Sequence, residues 1–303
     1  RKDLINTKPI LFTGAGVAII TPFNEDQTVN YDKFAEIVEY QLKKGTDAII
    51  VCGTSGEAKT LSTEEHVRVI KLCVEVVNHK VPVIAGAGSN DTRYAVELSN
   101  EAEKCGVDAL LSVTPYYNKT SQRGLITHYN YIADRVSTPI ILYNVPSRTG
   151  VNIKPETYAE LAKHPRIVAT KEANGDISQI AQTAALCGDD LAIYSGNDDQ
   201  VTAIMSLGGK GVISVLSNVV PGIAHDIVQK YLDGDYIGSR KLQLEWLDLC
   251  NALFIDVNPI PVKEAMNMMG LNVGPVRMPL VEMDDKSKAV LRASLVKHGL
   301  LEA

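Results

Sequence analysis

Ile167-Val168-Ala169-Thr170-Lys171-Glu172-Ala173 begins as a short apolar strand, with Pro165 before it and Asn174-Gly175 after it. Near-continuous apolar strands are usual in parallel sheets, which are buried on both faces. The pattern predicts a strand over 167–170 with Lys171 where it should end. Lysine is among the residues least often fully buried, so its place here needs a reason. The segment alone leaves two readings open. Either the strand has ended and the ammonium reaches water, or the amine is held in an apolar barrel mouth with its nitrogen free to attack a carbonyl.

Working outward, the same apolar run recurs eight times, at 16–20, 47–52, 82–86, 109–113, 139–143, 167–170, 191–194 and 211–215. Amphipathic segments lie between the runs. One spans Tyr31 to about Lys44, with Phe34, Ile37, Val38 and Leu42 on one face and Gly45 as its stop. Another opens on a capping box, Ser62 to Glu65, and is expected to carry Val67, Ile70 and Val74 inward. Strand starts are roughly 20 to 35 residues apart, the size of a βα unit. Eight such units imply an α/β fold, a TIM (β/α)8 barrel. Gly14-Ala15-Gly16 precedes its predicted strand, and Gly208-Gly209-Lys210-Gly211 precedes the last one, so neither serves as a phosphate-binding turn. From about Asp226 the strand signal stops, and 227–232, 240–253, 262–269 and 285–298 read as helices. The expected division is therefore a catalytic barrel over 1–225 and a C-terminal all-helical extension over 226–303.

The 303 residues carry a formal net charge of −6 and no basic run, which argues against a nucleic-acid partner. No apolar run approaches the length that crosses a bilayer. Five scattered cysteines without CxxC spacing read as buried thiols in a reducing, cytoplasmic setting. Six histidines form no HExxH or similar pair, so no built-in metal site is expected. The opening Arg1-Lys2-Asp3-Leu4-Ile5-Asn6 lacks both a Met and a secretory apolar region, and it is given no functional weight.

In such a barrel the chemistry gathers where strands end and βα loops begin. Sorting by that rule gives Gly53-Thr54-Ser55-Gly56-Glu57, Thr114-Pro115-Tyr116-Tyr117-Asn118, Tyr143-Asn144-Val145-Pro146-Ser147-Arg148-Thr149-Gly150, Lys171, and Ser195-Gly196-Asn197-Asp198. Each has a plain reading: a turn of small residues, a packed aromatic corner, a strand-ending tyrosine with its hydroxyl satisfied, a solvated arginine. Their convergence on one mouth argues against coincidence. The 53–57 turn offers backbone N–H groups and two hydroxyls, a neutral cradle suited to a carboxylate. Lys263, in Asn258-Pro259-Ile260-Pro261-Val262-Lys263, competes with Lys171. It lies in the first turn of a helix outside the barrel strands and reads by default as a structural or surface lysine.

These stretches, together with Val168-Ala169-Thr170-Lys171-Glu172, closely resemble the dihydrodipicolinate synthase family, from about Gly16 to the C-terminus and in the family's order. The resemblance implies a Schiff-base aldolase-type enzyme that condenses pyruvate with L-aspartate 4-semialdehyde in the branch toward diaminopimelate and lysine. By motif, Lys171 would form the imine and Thr54 and Ser55 would hold the pyruvate carboxylate. Tyr143, Thr54 and Tyr117 would relay protons, with Tyr117 reaching a neighbouring subunit's site. Arg148 would bind the semialdehyde carboxylate, while Gly196 and Ile213 would give main-chain contacts. No cofactor beyond the covalent imine is implied, and the assembly would be a homotetramer, a dimer of dimers.

The chain also departs from the family. Position 55 is Ser where the family usually has Thr; the hydroxyl is kept, and activity is expected to be kept with it. Of the interfacial site at which lysine-inhibited relatives bind lysine, His66, Asn90 and Tyr116 match. Ala58, Lys59 and Tyr94 do not, and Tyr94 stands where those relatives place a glutamate for the ligand's ammonium. Feedback by lysine is expected to be weak or absent, and half-inhibition at micromolar lysine would refute that. N-acetylneuraminate lyases and 2-keto-3-deoxy sugar acid aldolases share the lysine, the tyrosine and the glycine-rich turn. Arg148 in Pro146-Ser147-Arg148-Thr149-Gly150 separates them, because a sugar acid needs hydroxyl readers there. A silent sensor barrel should have lost a relay residue, and none is lost.

Overall fold

The computed structural model describes residues 8–303; the opening stretch Arg1–Asn6 lies outside the described residues. Eight strands, β1 (Gly14–Ala18), β2 (Ala48–Val51), β3 (Val83–Gly86), β4 (Ala109–Val113), β5 (Ile140–Asn144), β6 (Ile167–Glu172), β7 (Ala192–Ser195) and β8 (Gly211–Ser214), close into an all-parallel barrel in sequence order. The barrel helices lie outside, with their apolar faces against the outward side of the strands. The capping box at Ser62 and Glu65 forms as expected, and Gly45 takes a left-handed φ of 82° just past the helix Tyr31–Lys43.

Several boundaries move, each for a physical reason. β1 starts at Gly14, two residues earlier than expected, so Gly14-Ala15-Gly16 belongs to the strand. A Cβ on Gly14 would lie 2.1 Å from Asp47 Oδ2, and that carboxylate accepts from Ala15 N at 2.7 Å. Glycine is used there for close approach, which apolar counting does not register. β6 runs on through Lys171 and Glu172. The pairing of β5 with β6 slips between Ile140–Ile167 and Ile141–Ala169, leaving Val168 as the extra residue. Beyond that slip the alternation turns Lys171 into the barrel and Thr170 and Glu172 toward the helical shell. In the helix Thr63–Val77 the buried face is His66, Val69, Ile70, Cys73 and Val77; Val67 and Val74 are half-buried.

The helix expected over 227–232 begins at Pro221, so the expected division at 225/226 falls inside it. Ala224, Ile227 and Val228 of this helix pack with Ala15 of β1 and Val212 of β8, making it the eighth barrel helix. We therefore propose to divide the chain at the turn 233–235. Beyond it come Tyr236–Glu245, Leu247–Ala252, Ile260–Met268 and Asp285–Lys297. These pack on one another and against the barrel mouth; Trp246, for example, stacks on His298 at 4.0 Å. No helix among the described residues is long and apolar enough to cross a membrane.

Candidate active site

The mouth of the barrel is built from short turns whose backbone is fixed by neighbours. After β2 the turn 53–57 is flanked by Cys52 and Glu57, both left-handed at φ 57° and 53°. β3 supplies Gly86, where a Cβ would sit 2.1 Å from Cys52 O, so only glycine lets the turn lie this close. Thr21 donates to Gly56 O at 2.7 Å, and Asn258 Nδ2 donates to Ser55 Oγ at 3.0 Å. After β5 the chain enters the short helix Pro146–Thr149, with proline in its first turn. This projects Arg148, whose Nη2 donates to Asn258 O at 3.2 Å. Asn258 thus links the 53–57 turn to the arginine.

Lys171 is 6 % exposed, its Nζ 4.1 Å from the centroid of the Tyr143 ring. Strand register sets that pairing, because Tyr143, Lys171 and Tyr194 are consecutive partners across β5, β6 and β7. Among the described residues Nζ makes no ion pair and no hydrogen bond to protein. Gly196 sits beside the lysine stem; a Cβ there would meet Lys171 Cγ at 3.2 Å and Ala173 Cβ at 2.8 Å. Its N–H already donates to Glu172 O at 2.8 Å. Ile213, buried on β8, belongs to the same interior cluster as Tyr143 and Tyr194.

A cavity of about 320 Å³ opens at this mouth, walled in part by Thr54, Tyr143, Arg148, Tyr116, His66 and Asn258. Ser55, Lys171, Gly196 and Ile213 lie outside its wall, and Lys171 is joined to it through the Tyr143 ring. Tyr117 is not part of this mouth. It is 92 % exposed with φ 68°, and no hydrogen bond links Thr54, Tyr143 and Tyr117 within the described chain. His66 Nε2 lies 2.7 Å from Gly86 O, and burial pushes its pKa down to about 4. Asn90 Nδ2 donates to Tyr116 O at 3.1 Å. Lys59 spans the same corner, 4.7 Å over the Tyr116 ring and donating to Gly88 O at 2.9 Å, while Tyr94 OH is spent on Thr63 Oγ1 at 2.8 Å.

Three groups escaped the sequence reading. Glu172 is buried behind Lys171, accepting from Tyr158 OH at 2.7 Å, Asn174 N at 2.9 Å and Asn144 Nδ2 at 3.0 Å; burial pushes its pKa up to about 7. Asn258 stood in a quoted motif, yet its role depends on contacts 203 and 110 residues away. Lys263 is not a surface lysine: it is 2 % exposed and paired with Glu57 at 2.6 Å. Burial lowers its pKa to about 8, with Glu57 opposing the shift. The structural half of the default reading holds, but the surface half does not, because Glu57 neutralises the charge inside.

The Dihydrodipicolinate synthetase family model matches residues 11–298. A 4-hydroxy-tetrahydrodipicolinate synthase of Thermoanaerobacter sp. (strain X514) is 56% identical over 293 residues, 96% of this chain and 98% of that protein. The crystal structure of dihydrodipicolinate synthase from Thermotoga maritima superposes with a TM-score of 0.94 at 42% identity, covering 96% of this chain and all of that one. That of the Acinetobacter baumannii enzyme complexed with pyruvate gives 0.93 at 41%, covering 95% and 99%. A buried lysine paired across two parallel strands with a tyrosine, which shares its cavity with a glycine-bounded turn and an arginine, is carried on a barrel that these relatives share over nearly its whole length, and the chain belongs to the dihydrodipicolinate synthetase family.

Proposed function

We propose that this protein is a lyase of diaminopimelate and lysine biosynthesis, condensing pyruvate with L-aspartate 4-semialdehyde to 4-hydroxy-tetrahydrodipicolinate. The observation that carries the reading is Lys171, an interior amine with no ion pair or hydrogen bond among the described residues, set 4.1 Å from the Tyr143 ring at the edge of a cavity that Thr54 and Arg148 help to wall. Its nitrogen attacks pyruvate C2 and, with loss of water, forms an imine. The iminium withdraws electrons, so a methyl proton can leave to a positioned base and an enamine results. Thr54 and Ser55 hold the pyruvate carboxylate, and Tyr143 moves protons with Thr54 and a neighbouring subunit's Tyr117. The enamine carbon attacks the aldehyde, whose carboxylate Arg148 binds. The substrate's own amine then displaces Lys171 as the ring closes. Gly196 and Ile213 supply main-chain contacts, and the covalent imine needs no further cofactor.

The solvent-facing Tyr117 supports a homotetramer in which it acts on a second copy. All five cysteines are unpaired, which supports a reducing, cytoplasmic setting. Lys59, lying against the Tyr116 ring, places a fixed cation in the corner of His66, Asn90 and Tyr116, and so supports weak feedback by lysine. The test is to incubate with pyruvate, reduce with borohydride and locate the adduct by mass spectrometry. An adduct on Lys171 is expected; none, or one on another residue, overturns the mechanism.

A further inference from the structure

The turn that carries Thr54 and Ser55 is secured from outside the barrel, and we infer that Lys263 is a positioning residue. Through Glu57 it fixes the 53–57 turn, and with it the cradle for the first substrate's carboxylate, so the inference rests on the role proposed above for Thr54 and Ser55.

The two ends of this turn, Cys52 and Glu57, are left-handed without being glycine. Such residues persist where surrounding contacts over-determine the backbone. Below, Thr21 and the bare face of Gly86 do this. Above, both oxygens of Glu57 are taken by one distant segment: Oε2 accepts from Lys263 Nζ at 2.6 Å and Oε1 from Arg277 N at 2.9 Å. Lys263 is fixed in turn, donating to Pro275 O at 2.8 Å and lying 4.0 Å from the Phe23 centroid, against which Arg277 also packs at 4.4 Å. The guanidinium of Arg277 then grips Thr60 O and Glu65 beyond the turn. Both partners of the ion pair are 2 % exposed along their side chains, and they stand 206 residues apart.

A buried pair adds little net stability over an apolar substitute, but losing one partner strands a charge. What this pair contributes is position. Glu57 also lines the cavity, so an unpaired carboxylate there would swing toward water and draw the turn with it. Lys171 and Arg148 stand on β6 and after β5, outside the turn.

Two variants test this: Lys263→Met, which strands Glu57, and the neutral Glu57→Gln/Lys263→Met. The readout is the pyruvate concentration giving half-maximal borohydride trapping on Lys171, set beside the maximal extent of trapping. For Lys263→Met the half-saturating concentration is expected to rise at least fivefold with maximal trapping within twofold of wild type. The double variant should fall between, about two- to threefold up, because the introduced amide's carbonyl still accepts from the Arg277 N–H. Should Lys263→Met fail to fold, the double variant decides alone. A wild-type half-saturation in a folded variant, or a loss confined to maximal trapping, overturns the positioning role. If wild-type protein traps nothing, the imine mechanism falls instead, so the two failures are distinguishable.

Discussion

Glu172 shares a strand with Lys171 but faces the other way, and its carboxylate reports on how the strand ends are kept in register. It draws together Asn144 at the end of β5, Tyr158 from the helical shell and Asn174 after β6. Burial raises its pKa from an ordinary 4.5 to about 7, so between those values the folded chain binds a proton that the unfolded chain releases. Stability from this group is therefore greatest below about pH 4.5 and falls as pH rises toward 7, by up to about 3 kcal/mol. Glu172→Gln should remove that slope. Gln can accept from Asn144 and Asn174 through its carbonyl, while its amide donates to Tyr158 OH, which turns to Thr170 Oγ1, now 3.0 Å away. The melting temperature of the variant minus that of wild type should grow from pH 5 to pH 8; a constant difference would show that the carboxylate is not the source. Lys171 was legible because a lysine in an apolar run is conspicuous. Glu172 was not, since a carboxylate at a strand end ordinarily meets water, and only the packing of Tyr158 over it shows otherwise.

At the scale of elements, the eight strands were readable from apolar runs, whereas their ends were not. β1 and β6 extend beyond their runs because glycine and charged residues can pair in a ladder when a neighbouring strand supplies the partner. Gly14 fell outside the apolar run that opens at Gly16, yet it admits Asp47, just before β2, as Gly16 admits Ile50 of β2. The same logic makes Gly86 the element-level weak point of the site. A methyl group there would meet backbone, the Cys52 carbonyl at 2.1 Å and its carbon at 2.8 Å, so no side chain can swing aside. Gly86→Ala should destabilise the fold by about 1 to 3 kcal/mol, the usual cost of overpacking a filled interior. Urea unfolding monitored by circular dichroism checks this, and a midpoint unchanged from wild type would mean that β3 shifts freely from the turn. The C-terminal helices show the limit from the other side. Their helical character was legible, but the grip on the mouth by Lys263 and by Asn258 and Arg277 in the connections between helices was not, because it joins residues more than one hundred positions apart.

The whole molecule raises the question that one chain leaves open at Tyr117. A tyrosine 92 % exposed on a left-handed backbone is costly to present unless something uses it, and the described chain offers it no partner. Its own mouth contains Thr54 and Tyr143, and among the described residues no hydrogen bond joins either side chain to a further hydroxyl. If Tyr117 serves a second copy, the defect in Tyr117→Phe and that in Lys171→Ala lie in different subunits of each site. Tyr117→Phe alone should lose at least about a hundredfold in turnover, the low end of what one proton-transfer group contributes, and Lys171→Ala should lose all of it. Co-refolding equal amounts of the two should then restore activity that neither possesses. Random pairing makes half of the dimers mixed, and each mixed dimer has one site with both an intact lysine and a borrowed tyrosine, so about a quarter of wild-type activity is expected. Mixing without refolding should restore little until subunits exchange. Activity of the co-refolded sample equal to the average of the two separate variants would place Tyr117 outside the partner's site and leave the relay to Tyr143 and Thr54 alone.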